Sequence, residues 1–583
     1  MTILIRLVEQ VAPDGTRTRR EYDESGRMTA VVASDGSRMT YKYDKNNRLV
    51  AQVDALGRET TFAYNAYGQV TQRRFPDGAT ENTIYDQNGF IDRIVRTDGQ
   101  LTEQDYDPNG KLIRQQLPDG TEEIFTYSPT GKLLSALGAS GATSLQYDSR
   151  DRLVRVTQPS GVMVLNEYDA VGNRIAVIID RQGNRTTTTY SYDGLGRLTS
   201  TTASTGETHR YIYDSAGNVS QIQYLNGITE DRLYDSMNRP IEIRSSQSGQ
   251  TVDRLQYTYT RSGLRESVIR LDGTRVAYHY DSRHRLVSEV HYNTANEITW
   301  QESYEHDAVS NRVAVTRNGQ RIVQTFNSLD QLVTSGQDTF TYDSRGRMVQ
   351  RSGPNGSLQF LYDGEDQLIR VTTVGSETTY AYDALGNRIR STSNNKETEH
   401  VLDLNSPTGV SQVLEDRSLL SVSSVHYVFG VSGREMMRSS EGVQTFHYDA
   451  NGNVRRLHNE QGDTLVQYLT SAFGTLIGTA GSSSNSFRFT GERTDESLGL
   501  VHLRARDYMV DVGQFMIRDP YNGTTDDPTS LHRYLYAHQN PVTNRDQTGE
   551  ATLAEQAMVG GLINGLVSVG TSYLGGNRSG GRL

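Results

Sequence analysis

The chain has 583 residues and a formal net charge of −11, with 35% hydrophobic residues, 34 tyrosines and no cysteine. Disulfide and thiolate chemistry are therefore excluded, and the acidic balance disfavours a nucleic-acid-binding surface. So few apolar residues cannot fill a solid core for a body of this size, while the tyrosines and the many strand-like runs exclude disorder.

Residues 1 to 20 have no signal-peptide profile; Ile3 to Val8 is a short strand-like run interrupted by Arg6. Two expectations stay open here: a fragment of a longer protein, or a protein exported without a cleavable signal. The motif Tyr22-Asp23-Glu24-Ser25-Gly26-Arg27-Met28 follows almost at once. It returns as Tyr43-Asp44 before Asn47-Arg48-Leu49, and then at Tyr64, Tyr85, Tyr106 and Tyr127, with 21 residues between successive tyrosines. The beat runs on from Tyr147 to Tyr280, resumes at Tyr342, Tyr362 and Tyr382, and has its last clear copy at Tyr448. A period held this strictly marks an array with one supersecondary unit per repeat.

One unit reads as a β-hairpin. In residues 74 to 91, Pro76-Asp77-Gly78 is a tight turn, a short run ends at Tyr85, and Asp86-Gln87-Asn88-Gly89 is a second turn. The runs are rich in Thr, Tyr, Val and Ile and broken by Gly, which argues against helices. In the second turn Asp bonds the backbone two residues on, and Gly or Asn takes the left-handed position. The Tyr-Asp pair is thus read as structural. Arginines interspersed with acids along the strands read as cross-strand pairs.

About 20 such hairpins at ~4.8 Å per strand would make a sheet ~190 Å wide, which must coil or close. Runs such as Thr16-Arg17-Thr18-Arg19-Arg20-Glu21 look polar on both faces, and a sheet wetted on both sides can only be a wall. The fold class expected is all-β: a long spiralling antiparallel sheet of hairpins closed into a hollow, water-containing shell. The pattern loosens over 291 to 341 and is missing from 395 to 446, yet no linker divides the chain before about 485. Three parts are expected: a repeat shell over 1–486, a core block over 487–550 and a short C-terminal segment over 551–583.

His279, His284 and His291 straddle one turn at strand spacing and read as surface or sheet histidines, not as a metal site. Asp526 and Asp527 near Asp519 read as a solvated loop, and His532 and His538 as packing beside Tyr534 and Tyr536. No metal and no other cofactor is expected.

The repeat Tyr-Asp-x-x-Gly-Arg-Leu over most of residues 6 to 454 resembles the Rhs/YD-repeat family. The block 487 to 550 resembles that family's repeat-associated core, through Tyr508, Gly513, Phe515, Asp519-Pro520, Arg533-Tyr534, Tyr536 and Asn540-Pro541. The family includes bacterial polymorphic toxins and the C components of Tc insecticidal toxins, with teneurins as distant relatives. The resemblance implies a β-cocoon around a C-terminal toxin segment that is freed by self-cleavage just after the second of two Asp-Pro motifs. Asp519 matches the first motif and Asp546 the second, although Gln547 stands where Pro is usual and Glu550 where Leu precedes the scissile bond. The implied chemistry is aspartyl-protease-like, with Asp519 and Asp546 sharing a proton and Arg518 steadying a carboxylate or the oxyanion. The other reading is that both aspartates form turns that pack the plug.

Residues 551 to 583 are too few for an enzyme with its own core. Ala557 to Leu574 is uncharged and Gly-rich, with Gly561 and Gly565 spaced for close helix packing. A truncated toxin, a plug segment and a small membrane-active peptide all remain open. Expected partners are the chain's own toxin segment, a shell-closing subunit or secretion spike, and an immunity protein, with no nucleic acid bound by the shell. The location expected is secreted or cell-surface, after export from a bacterium. The rival function is an adhesive or carbohydrate-binding shell without cargo.

Overall fold

A computed structural model describes residues 6–421 and 423–550 and the backbone of 553–554. Forty-five strands, from Glu9–Val11 to Leu476–Gly481, form one sheet in which every strand pairs antiparallel with the next. The run Ile3 to Val8 lies partly outside the described residues, and its described part, 6–8, precedes the first strand. The stretches with loosened or missing motif keep the meander, as Gln320–Phe326 and Ser424–Gly430 illustrate. No α-helix occurs among the described residues.

The repeat motif explains the hairpin atom by atom. Asp44 Oδ1 accepts from the Asn46 and Arg48 amides at 2.9 and 3.0 Å, and Arg48 Nε donates to Asp44 Oδ2 at 2.7 Å. Asn47 holds φ at 64°, the left-handed position that Gly fills in most copies. The Arg48 guanidinium then lies 4.9 Å over the Tyr64 ring of the next repeat, and Tyr64 Oη donates to the Leu49 carbonyl at 2.6 Å. Each turn is thereby pinned to the following hairpin. The same Tyr-to-carbonyl bond recurs from Tyr43, Tyr85, Tyr127, Tyr168 and Tyr213. Cross-strand pairs such as Arg114–Asp105 at 3.0 Å do occur, but many arginines serve the turn aspartates instead, a role that strand patterning does not reveal.

The sheet coils back on itself. Ser34 Oγ bonds the Ser282 carbonyl, Thr97 meets Ser344 at 2.5 Å, and the Gly364 amide donates to Asp119 at 3.2 Å. Twenty-three strands lie between the turns in each of these contacts. At ~4.8 Å per strand, one revolution is ~110 Å around and ~35 Å across. The separation in sequence falls from 248 residues at Ser34–Ser282 to 214 at Gln247–Gln461, so the coil tightens along the chain. In the tight part the revolutions overlap: Ala203 packs with Val428, Met436 and Val443.

Seam contacts are strongly polar. Arg174 meets Asp403 at 2.7 Å with both side chains buried, Tyr211 Oη donates to Glu435 at 2.6 Å, and Arg455 meets Asp253 at 2.8 Å. The sheet is not wetted uniformly. On the strand Arg38–Tyr43, Met39 and Tyr41 are buried and Arg38 and Lys42 exposed, because Leu531 of the C-terminal block covers one face. Between Val70 and Gln116 most residues are half-buried on either face.

The block beyond residue 486 touches strands spread over most of a revolution. Arg312 bonds the Val512 carbonyl, Met348 N donates to Met516 O at 2.9 Å, and Arg388 meets Asp507 at 3.0 Å. Arg434 reaches Gly491 O at 3.0 Å, Asn451 reaches Pro541 O at 2.6 Å, and the Phe473 carbonyl accepts from Tyr508 Oη at 3.0 Å. A block this small cannot reach so much of the circumference from outside, so it lies on the concave side of the coil.

Candidate functional site

The block is built on a four-stranded sheet, Arg493–Asp495, Leu500–Leu503, Arg506–Met509 and Gln514–Phe515. Phe489, Tyr508, Phe515 and Tyr536 stack beneath it, with Tyr508 and Tyr536 ring centroids 4.4 Å apart. This aromatic floor fixes the tight turn Leu503–Arg506, where Arg504 sits at φ 60°. Arg506 leaves that turn over the Phe515 ring at 3.5 Å, and its side chain is 1% exposed.

Asp519 and Asp546 meet on this one guanidinium. Arg506 Nη2 lies 2.8 Å from Asp519 Oδ2 and 3.3 Å from Asp546 Oδ2. Asp519 Oδ1 accepts from the Tyr521 amide at 2.8 Å, and the Asp519 amide donates to the Arg533 carbonyl at 2.8 Å. Asp546 Oδ1 accepts from the Gly549 amide at 2.8 Å and from the Thr548 hydroxyl at 3.3 Å. Burial pushes the Asp519 carboxyl up to about 6, with Arg506 and Arg533 pulling it back and Asp546 adding to the rise. With Arg506 and Arg533 both beside it, Asp519 still takes up its proton in mild acid because burial outweighs their pull. With Asp519 protonated, a proton donor stands beside a second carboxyl, an arrangement that acid–base hydrolysis can use.

The chain after Asp546 is strapped across the same turn. Arg504 Nη1 donates to the Gln547 carbonyl, Ala505 N to Thr548 O at 3.1 Å, and Arg506 Nε to the Gly549 carbonyl. The Glu550 amide donates to Thr548 Oγ at 3.2 Å, and Asn544–Arg545 then pair with Leu553–Ala554. Gly549 has φ 75°, and a Cβ there would run into the Leu503 carbonyl oxygen. Only glycine lets the strap lie this close.

Of the residues singled out from sequence, Asp519, Asp546 and Glu550 are thus brought to one place. Arg518 is not among them: its guanidinium lies over Phe75 of the first revolution at 4.9 Å. The cation between the carboxylates is Arg506, which sequence reasoning missed. His532 is buried with Nε2 2.8 Å from Asn311 Oδ1, and His538 Nε2 is 3.9 Å from Asp527. Asp527 caps the short turn Pro528–Leu531, accepting from Thr529 N at 3.1 Å, and the Asp526 carbonyl accepts from Arg20 at 3.4 Å. His279 bonds Ser288 at 2.9 Å, His284 bonds Asp14 at 2.9 Å from a left-handed turn position, and buried His291 bonds Glu289 at 2.7 Å. Among the described residues no group of three or more His, Cys, Asp or Glu is arranged to hold a metal ion. The apolar stretch Ala557 to Leu574 lies outside the described residues.

The model of the teneurin YD-shell family matches residues 163–293 and 225–542, and that of the RHS repeat matches 6–38, 43–80 and 127–163. The tRNA3(Ser)-specific nuclease WapA of Bacillus spizizenii is 35% identical over 127 residues, 21% of this chain and 5% of that protein. The tRNA nuclease WapA of Bacillus subtilis is 32% identical over 127 residues, with the same coverage. The match thus spans about 5% of the length of these curated relatives. Among solved structures, TcdB2-TccC3 is similar over 92% of this chain and 36% of its own, with 15% identity and a TM-score of 0.48. The Photorhabdus luminescens Tc holotoxin pore is similar over 93% and 36%, with 14% identity and a TM-score of 0.48.

Proposed function

Given that this chain belongs to the teneurin YD-shell family, we propose that it is a hollow β-shell that carries a toxin polypeptide and frees it by cutting its own chain near Glu550. The wall is the coil, residues 1–486; the block 487–550 is the plug and the self-cleaving unit; the chain from 551 onward leads into the cargo. The observation that carries the reading is the position of the block on the concave side, with Asp519 and Asp546 on one guanidinium beside the strap that precedes the cargo. A coil ~35 Å across has room inside it that wall side chains alone do not fill.

The two carboxyls divide the work as an aspartyl pair does: one activates water and the other, protonated, supports the carbonyl. The names of the WapA relatives make a nucleic-acid-cleaving polypeptide a candidate cargo. Such a cargo requires an immunity protein in the producing cell, and a subunit or secretion spike that closes and delivers the shell outside it. Among the described residues no helix is long and apolar enough to cross a membrane. An adhesive shell without cargo is the rival; it needs no buried carboxyl pair.

The test is a gel and intact mass of freshly purified full chain. Two fragments parting near residue 550, absent in Asp519→Asn, are expected. Full-length chain alone would reject the self-cleaving part. A density map with an empty or filled interior tests the container, and a solid globule would reject it.

A further inference from the structure

We infer that the scissile bond is Gly549–Glu550, one residue before the family's usual position, and that Arg506 is the electrophilic catalytic residue that holds the Gly549 carbonyl. This rests on the self-cleavage reading above. The resemblance by position puts the cut after Glu550. The geometry points elsewhere, because the carbonyl held at the carboxyl pair is that of Gly549: it accepts from Arg506 Nε, and the neighbouring Nη2 of the same guanidinium meets both Asp519 and Asp546.

Each atom of this peptide has a place. The Gly549 amide is fixed on Asp546 Oδ1 at 2.8 Å, and the Glu550 nitrogen donates to Thr548 Oγ at 3.2 Å, which in turn lies 3.3 Å from Asp546. The strap is kept in register upstream by Arg504 on Gln547 O and by Ala505 N on Thr548 O. The absent Cβ at Gly549 lets its backbone press against Leu503 and the Arg506 amide, 2.9 Å from where that Cβ would stand. The Gly549 carbonyl is thus delivered to a buried cation that also holds both aspartates. A polarising donor that is in place before reaction costs no reorganisation when charge develops on the oxygen.

The step balances with water as the one co-reactant. Asp519 takes a proton from water as the water oxygen bonds the Gly549 carbonyl carbon. The π pair moves onto the carbonyl oxygen, which Arg506 stabilises in the place given above to the second carboxyl, while Asp546 holds the Gly549 amide. On collapse the C–N bond breaks, and the Glu550 nitrogen leaves with the proton that Asp519 returns. The products are a Gly549 carboxylate on the shell and a free amine on Glu550 of the released segment.

The experiment is N-terminal sequencing and intact mass of the small fragment released by the full chain. A fragment beginning at Glu550 is the expected result. One beginning at Ala551 would overturn this inference and leave self-cleavage standing, whereas an uncut chain would overturn both. Arg506→Lys keeps the positive charge but cannot hold the carbonyl and both carboxylates at once. It should cut ~100-fold or more slowly, the scale of losing one oxyanion donor, with unchanged far-ultraviolet circular dichroism. A normal rate in that variant would remove Arg506 from the chemistry. The boundary measurement needs no variant, so it decides the bond even if Arg506→Lys does not fold.

Discussion

The strands from Val70–Arg74 to Leu112–Gln116 and those from Lys396–Asp403 to Val454–His458 follow one hairpin grammar but meet different fates. The first set is half-exposed on both faces; the second is largely buried on both. Composition does not separate them, since both are rich in polar residues. Overlap does: the second set lies where the coil tightens over itself and where the C-terminal block presses from the other side. The repeat thus specifies a wall, and position in the coil decides whether its polar residues face water or need a partner. In the open set an unpaired charge is simply hydrated. In the covered set it must be matched, as Glu435 is by Tyr211 and His209, and Asp416 by Arg493 and His400.

The sharpest way to break this comparison is to remove one member of a pair in each region. Asp403→Ala would leave Arg174 charged and buried across the seam, and we expect a loss of ~3–5 kcal/mol in chemical denaturation. Asp105→Ala, in the open set, removes a partner 3.0 Å from Arg114, which stays partly hydrated and still meets Glu122. That change should cost ~1 kcal/mol or less. Equal losses in the two variants would mean that the regions do not differ in the way proposed.

Acid offers a second contrast, because the open strands between Val70 and Gln116 hold no histidine. Burial, with His447 and Arg456 alongside, pulls the His458 imidazole down to about 2, while Glu230 opposes the shift. The folded chain therefore keeps His458 neutral, whereas the unfolded chain takes up a proton below pH ~6.5. Its stability contribution is complete above that pH and is lost as the pH falls toward 2. Between pH 6.5 and 4.5 the expected loss is ~2–3 kcal/mol. Asp363, raised to about 7 by burial, works in the opposite direction over the range from 3.8 to 7. Hydrogen exchange read locally separates the two. Protection factors, which remove the intrinsic slowing of amide exchange in acid, should fall on acidification more in Val454–His458 than in Val70–Arg74, and His458→Gln should flatten the difference.

The contrast also marks what was legible in the sequence. Tyr43-Asp44 and its copies reveal the hairpin because the turn's chemistry is complete within a few residues: Asp, a left-handed position, and Arg four residues on. The strands around Gly433 carry no such motif, since their turn is closed by Glu435 reaching back to the Ser432 amide. The coil was legible as a necessity of width, but its seam was not, because contacts such as Arg174–Asp403 join residues 229 apart with no local signature. Arg518 drew attention by standing next to Asp519, yet neighbours in an extended chain point to opposite sides. Arg506 reaches both aspartates only because the strap and the Asp519 segment converge on its turn, and spacing alone does not encode that convergence.

The smallest effect isolates a single bond made in both regions. Tyr85 Oη on Val70 O, at 2.9 Å, belongs to the open wall; Tyr382 Oη on Leu368 O, at 2.8 Å, belongs to the covered one and also accepts from Arg388 Nη2 at 2.7 Å. Phenylalanine keeps the ring, so its effect reports the hydroxyl alone. In Tyr85→Phe the freed carbonyl belongs to the half-buried Val70, and the cost should be ~0.5–1.5 kcal/mol. In Tyr382→Phe no water takes its place: the Leu368 carbonyl loses a donor, and Arg388, already committed to Asp507, loses an acceptor. Leaving such groups unmet costs ~1–3 kcal/mol, so Tyr382→Phe should be the costlier of the two in parallel denaturation curves. If Tyr85→Phe cost as much, the hydroxyl would be buried in the thin wall as well, and the wall there would be thicker than one sheet.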